Sequence, residues 1–578
     1  MTSRTLISIF LLFFGCDLTM AQTGQDVIEH KGDRYIIHVD AMHPDADMTL
    51  MDVLQTCPEL ISANGKRITE YYDVQMDGNS LVMDDETLLN TLRACEISTI
   101  EIYVYTSVTQ GGDATGGIID IYLKEQDEDH TSGKLHAEGS TRGNGKLYAD
   151  IHCRRHDVTV SGYALANMGY ARGTAADDSQ YRARRGLENV HLKVDWDISE
   201  RDELVVKMHQ NFFDSNMKFD GSEVPVVPVM QRYWAGLAEY TRTLNEAGAT
   251  LSTEGGADFL SADEDGYRQH STGAYFNAEA ALPFLDDALN VTAGWEVDYF
   301  NTLTTGRDRQ QMLFNDIYLQ LEYTQGPWVL TVGDRLRVIH YWHRDYYFDN
   351  FPLWHNRSTE NSYLLSAGYK ARRHYVQGVF SHDFYAPIID EFYTSTEDGL
   401  EGRRDFMGFQ TNLVWRSELR YAYQREGFIL TGSLLHTWSD YNQDDYNQQY
   451  TGLRAAATWH KGPWRLTAAA DYFHELVDYP DNEGPTHDNY FTLRLLPTLT
   501  LPHAWRLSAT LLYNSRRSLL DEARPHLYAA VKVSKQLAPG LTLSADFHDI
   551  AGTPHLPAYM LWNSFDNRAL TIALTYRY

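Results

Sequence analysis

Between His340 and Asn356 the chain reads HYWHRDYYFDNFPLWHN, its densest grouping of side chains able to recognise a ligand. The rings offer broad stacking surface to a sugar, a peptide or a flat cofactor-like molecule, and His340, His343 and His355 can reach a metal centre. Tyr346, Tyr347, Trp354 and His355 are the candidate ligand contacts. The competing reading is a girdle, in which Tyr341, Trp342 and their neighbours mark the level where a membrane meets water. A second grouping, Arg182, Arg184 and Arg185, either meets lipopolysaccharide phosphate or offsets Asp177 and Asp178 close by.

Catalytic patterns fail on inspection. His474-Glu475 begins a zinc-protease pattern, but position 478 is Asp where the second His belongs. Gly143-Asn144-Gly145-Lys146 resembles a phosphate loop, yet Ser140 replaces the first Gly and Leu147 the magnesium-binding hydroxyl. No nucleophile elbow occurs, and no Cys/His cluster suggests zinc. The chain is therefore read as a non-enzyme with no metal site and no cofactor of its own.

The elements that must position the aromatic segment follow from composition. In 578 residues there are 38 Tyr and 12 Trp, and no apolar run after the N-terminus is long enough for a membrane helix. Strands that alternate lipid-facing with water-facing residues are only half apolar, so a membrane β-barrel remains open. A formal net charge of -30 argues against nucleic acid as a partner, because such a chain releases no counterions from a phosphate backbone.

The N-terminus reads as an export signal over residues 1–21, with Arg4 ahead of an apolar core from Leu6 to Phe14 and a small-residue site at Thr19-Met20-Ala21. Export would leave Cys57, Cys95 and Cys153 in an oxidising compartment. An odd number cannot pair completely within the chain. Cys57 and Cys95 either bridge or serve as small buried apolar residues.

After the signal comes a small mixed α/β pattern. Tyr35 to Val39 reads as a strand, and Leu50, Val53, Leu54 and Cys57 share one helix face that Pro58 ends. Asp73 to Met76 reads as a second strand; Asp84 or Asp85 then caps a helix carrying Leu88, Leu89 and Leu92. Thr99 to Tyr105 is a third strand, and Gly111-Gly112-Asp113 turns into a fourth, Gly117 to Leu123. This Gly-rich turn is the handover to everything that follows.

The words TLMDVLQTCPEL, VQMDGNSL, ETLLNTLRACEISTIEIYVY and ATGGIIDIYLK, in this order, resemble the plug of TonB-dependent receptors, in the branch called outer-membrane β-barrel family proteins. The resemblance covers roughly residues 33 to 125. It implies a plug at 33–128 inside a 22-stranded barrel at 129–578, outer-membrane localisation, and energised uptake of an unidentified siderophore, haem, glycan or peptide-class ligand. It also implies the TonB complex as a partner, contacting a short periplasmic segment at 22–32. Asp26, Val27 and Ile28 are the coupling candidates in that segment. Two departures stand out: Pro58-Glu59-Leu60 replaces the usual Pro-Gly-Val, and QDVIEH matches a TonB box poorly. A barrel that kept its plug and lost transport, an adhesin or structural receptor, is the alternative function.

The barrel has support independent of any family. Twenty-two alternating segments can be counted from Leu135 to Tyr578, giving an all-β transmembrane fold; outer-membrane lipid and lipopolysaccharide as its surroundings are what the resemblance implies. Connections alternate too. RRHD (154–157), QGP (325–327), REG (425–427), KGP (461–463) and APG (538–540) are tight turns, while the stretches near 170–185, 214–228, 345–361, 385–405 and 552–567 are long. In the last segment Leu570, Ile572, Leu574, Tyr576 and Tyr578 share one face, and Thr571, Ala573, Thr575 and Arg577 the other.

Overall fold

The structure is a computed structural model. Before residue 129 it describes residues 27–30, 34–42, 48–54, 73–76, 79–80, 92, 94–103, 108 and 117–124. From 129 on it describes all but 175–179, 220–225, 265–266, 287, 305–307, 346–353, 386–411, 442–445, 479–484, 516–524, 548–549 and 551–568. The export signal, Asp26, Cys57, the helix expected after Asp84, and Tyr346 and Tyr347 lie outside the described residues.

Twenty-two antiparallel strands, from β7 (His130–Ser140) to β28 (Leu570–Arg577), pair in chain order, and β28 pairs back onto β7 to close a barrel. Every counted segment corresponds to one of these strands. Closure leaves no open edge, so the backbone polar groups of the membrane-spanning wall are paired strand to strand without help from water. Many strands are longer than a membrane needs. β10 (Gln180–Ser199) and β12 (Val226–Thr243) each run on toward the long connections, so part of what reads in the sequence as outer loop is strand standing above the bilayer.

Backbone sterics mark one rim. His156, Leu285, Asp286, Arg372, His503 and Ala504, with Gly248, Gly326, Gly427, Gly462 and Gly540, have positive φ, and all lie in the tight turns. Left-handed turns match the twist of paired strands, which is why two-residue hairpins select them. The connections at the opposite rim include all the long stretches. At the start of the barrel, Asp129 accepts a 2.7 Å hydrogen bond from the His156 backbone N–H. This bond is the main reason the Asp129 carboxyl is held below the usual carboxylate range.

A separate sheet of six strands has the order β1-β2-β5-β6-β3-β4: β1 (Ile28–His30), β2 (Arg34–His38), β3 (Asp73–Met76), β4 (Asn79–Ser80), β5 (Ile97–Tyr103) and β6 (Ile118–Leu123). One short helix, α1 (Leu50–Leu54), packs with it, placing Leu50, Val53 and Leu54 in a core with Ile37, Val74, Ile100, Ile102 and Ile119. The third strand begins at Ile97, two residues earlier than the sequence suggests, and ends at Tyr103. Gly117 takes φ of 114° where the chain enters β6, a conformation that favours Gly. The same core includes inward-facing barrel residues Tyr148, Leu165, Leu187, Leu364, Val379 and Leu435, so the small sheet packs directly against the inner wall. Among the described cysteines, Cys95 is exposed, which corrects the reading of it as a buried apolar residue; it sits in the short 3-10 turn Ala94–Glu96, which turns its side chain outward.

Candidate functional site: contacts between the inner sheet and the wall

β1 is the edge of the inner sheet, and its register fixes which backbone groups are left over. Val27 O accepts from His38 N at 2.9 Å, and Ile28 stands opposite Ile37. In an antiparallel pair, hydrogen-bonded and non-bonded positions alternate, so the Ile28 N–H and C=O point away from β2. Both are taken by one side chain of the wall. Gln424, next to last in β20 (Asn412–Arg425) and beside a tight turn, donates from Nε2 to Ile28 O at 2.5 Å and accepts from Ile28 N at Oε1 at 3.1 Å. The primary amide thus occupies the position of a neighbouring strand's peptide group. Ile28 is 2% exposed, Val27 packs against the core, and Glu29 pairs with His38 at 2.9 Å.

Further along β20, the Arg420 guanidinium lies over the ring of Tyr35 at 4.8 Å and donates to Glu418 at 2.9 Å. Deeper in the lumen is a larger charge cluster. Arg335, fully buried on β17 (Trp328–Asp345), donates to Asp316 at 2.6 Å, to Glu296 at 2.7 Å and to the backbone carbonyl of Val108 at 3.1 Å. Arg337 also donates to both oxygens of Asp316, at 2.8 and 2.7 Å. Val108 belongs to the chain between β5 and β6, and it seats beside Gly333, where any Cβ would press on it. At the seam of the barrel, Glu96 lies 3.7 Å from Lys134 on β7 and 3.5 Å from Arg577 on β28. Within the inner sheet, burial and then Asp120 push the Tyr122 hydroxyl well above the usual phenol range, so it remains a donor.

The aromatic segment divides between faces. Tyr341 is buried on the inward side, whereas His340 and Trp342 face outward and stack with His355 of β18 (Trp354–Ala371) at 5.5 and 5.2 Å. His340 Nδ1 and His355 Nε2 are 3.3 Å apart. These three rings form part of the outer face of the wall, the place of a girdle. Trp354 begins β18. Arg184 and Arg185 likewise diverge, Arg184 outward and exposed, Arg185 over the ring of Phe213 at 5.4 Å. His474 and Glu475, adjacent on β23 (Trp464–Asp478), point to opposite sides of the wall and cannot converge on one ion. No group of three metal-ligating side chains occurs among the described residues.

No family model matches the sequence, and no curated protein does. Solved structures do. The copper transporter OprC superposes with a TM-score of 0.72 at 10% identity, over 97% of this chain and 100% of that one. The closed form of the ferric-catecholate import receptor Fiu from E. coli K12 gives 0.70 at 10% identity, over 97% and 100%. The alcaligin outer-membrane receptor FauA from Bordetella pertussis gives 0.65 at 12%, over 95% of each chain. The fold is that of the TonB-dependent outer-membrane receptors. In a TonB-dependent receptor fold four of these contacts acquire a common meaning: Ile28 with Gln424, Tyr35 with Arg420, Val108 with Arg335, and Glu96 with Lys134 and Arg577 tie the inner segment to the wall around it. The sequence pattern held no sign of Gln424, Arg335 or Glu96 as such ties. For Gln424 and Arg335 inward parity on their strands was the signal available; Glu96, in a 3-10 turn, had none.

Proposed function

We propose that the protein is an energised outer-membrane importer in which residues 33–128 act as a plug, 129–578 as the barrel and 22–32 as the segment offered to the TonB complex. The observation that carries this reading is the held edge of β1: a strand whose outward backbone groups are exposed once one side chain moves, placed at the rim with tight turns. Strand addition uses main-chain hydrogen bonds more than particular side chains, so a poor match to a consensus box is compatible with coupling. Asp26, Val27 and Ile28 are the coupling residues, and Tyr346, Tyr347 and Trp354, rather than His355, are the ligand contacts. The similar structures are named for siderophores and copper, so ferric siderophores and copper complexes head the panel of ligands, followed by haem, glycans and peptides. No catalytic step is assigned.

The test is Ile28→Pro, which removes the backbone donor that the outward edge of β1 presents and fixes φ. At normal surface levels this variant is expected to bind its ligand and to lose import. Import equal to the parent's would favour the alternative, a plugged receptor that does not transport.

A further inference from the structure

The outward face of β17 reads Trp328, Leu330, Val332, Asp334, Leu336, Val338, His340, Trp342. Trp328, Leu330, Val332 and Leu336 are 51, 39, 50 and 44% exposed, as residues meeting lipid should be. Asp334 is exposed among them, while its neighbours Gly333 and Arg335 are buried on the lumen side. Six residues above Trp328 is about 20 Å along a strand. At a tilt of roughly 35–45° that is some 15 Å of height, inside an apolar band about 25 Å tall. Across the sheet Asp334 stands between Leu319 and Tyr363. A carboxylate at this depth, facing out, is disfavoured by lipid and calls for a polar neighbour.

One neighbour is present. Asn361, also outward and exposed on β18, donates Nδ2 to Asp334 Oδ1 at 2.7 Å. The second carboxylate oxygen and the other Asn361 N–H have no partner among the described residues. They form an acceptor and a donor side by side, a pair that complements itself under two-fold rotation.

The shapes on either side agree. Toward β15 (Leu289–Thr304) and β16 (Asp308–Gln325) the wall is a ridge, with Trp295, Ile317 and Leu319 exposed by 46, 62 and 46%. Toward β19 (His374–Tyr385) and β20 it is a groove of about 830 Å³ whose lining includes the small residues Ala367, Gly378 and Ser417 between Leu365, Phe380 and Leu419. A two-fold axis along the membrane normal, passing beside Asp334 and Asn361, lays the ridge of one copy over the groove of the other. It also brings each Asp334 to the Asn361 of the second copy. Isologous contacts of this kind close after two subunits.

We propose that this face is a homodimer interface within the outer membrane, with Asp334 and Asn361 exchanging hydrogen bonds across the axis. The inference is independent of what the lumen carries. It is tested by cysteine cross-linking in intact outer membranes, with Cys57, Cys95 and Cys153 changed to Ser. Thr359→Cys, outward on β18 near the axis, is expected to give a disulfide-linked dimer on oxidation. Tyr513→Cys, outward on β25 (Trp505–Asn514), is expected to give less than a tenth as much. Adding Asp334→Leu to Thr359→Cys is expected to lower the dimer fraction at least fivefold at unchanged barrel levels. Native mass spectrometry of the extracted parent, expected to show the dimer, checks against a cysteine variant that fails to assemble. Equal cross-linking from both positions, an undiminished dimer with Asp334→Leu, or a monomer joined instead to a different membrane protein would each overturn the proposal.

Discussion

The phenol of Tyr578 lies across Gly133, at the seam where the last strand meets the first. The two residues exchange backbone hydrogen bonds, Gly133 N to Tyr578 O at 3.3 Å and Tyr578 N to Gly133 O at 3.2 Å, and a Cβ on Gly133 would collide with the phenol. An aromatic ring laid over a strand glycine both fills the gap and pins the register. Deleting Tyr576 to Tyr578 is therefore expected to reduce outer-membrane levels more than deleting three residues of any outer connection. Gly133→Val, which displaces the ring without removing it, is expected to cost about 1–3 kcal/mol through overpacking. Loss of the heat-modifiable folded band on a cold gel reads both; equal levels for the two deletions would dissociate the terminal strand from assembly.

Removing the Gln424 amide should free the edge of β1. With Gln424→Ala the Ile28 N–H and C=O lose their partners at a buried position, a loss of roughly 1–3 kcal/mol. Amide exchange at Ile28 is expected to quicken about tenfold or more, with the barrel strands unchanged. Exchange at the parental rate would mean that β2 alone holds the edge.

Asp316 serves two buried guanidiniums, so its loss takes a carboxylate from both at once and leaves Glu296 as the carboxylate beside them. Asp316→Ala is expected to destabilise the barrel by about 3–5 kcal/mol, measured by denaturant titration in detergent. Replacing Asp316, Arg335 and Arg337 together by apolar residues of similar size should cost less than the single change. A triple variant worse than Asp316→Ala would show that the cluster contributes more than mutual neutralisation.

The aromatic segment gives a contrast between faces. Tyr346→Ala and Tyr347→Ala are expected to weaken ligand binding about tenfold, the scale of one well-packed aromatic contact. His355→Ala, on the membrane side with Trp342 and His340, is expected to leave affinity unchanged. Titration of the purified protein with ferric siderophores and copper complexes would decide, and a matching loss at His355 would move the ligand to the outer face of the wall.

The barrel was legible because its signal is local. A period of two within each strand and tight turns at alternate connections are printed in neighbouring residues, and β28 shows the alternation that Leu570 to Tyr578 predicts. Strand ends above the bilayer were not legible, because polar residues there are wet on both faces and the period fades. The ties of the inner sheet were hidden for a different reason. Ile28 and Gln424 are 396 positions apart, and Arg335 and Val108 are 227 apart, so nothing in either neighbourhood names the other. Asp334 is an intermediate case: beside Arg335 it had to face the opposite way, and strand parity alone placed a charge toward lipid.

The ring of left-handed turns at one rim also bears on engineering. Side chains at His156, Leu285, Asp286, Arg372, His503 and Ala504 hold a backbone conformation that L-residues resist, at about 1–2 kcal/mol apiece. That rim is consequently a poor host for inserted tags and a good one for thermal improvement, since glycine at these six places relaxes the chain without touching lumen or lipid. The opposite rim, apart from the tight turn at Gly143, carries the long connections and is the better place for a graft: its tall strands would hold inserted sequence clear of the membrane, where an antibody can reach it.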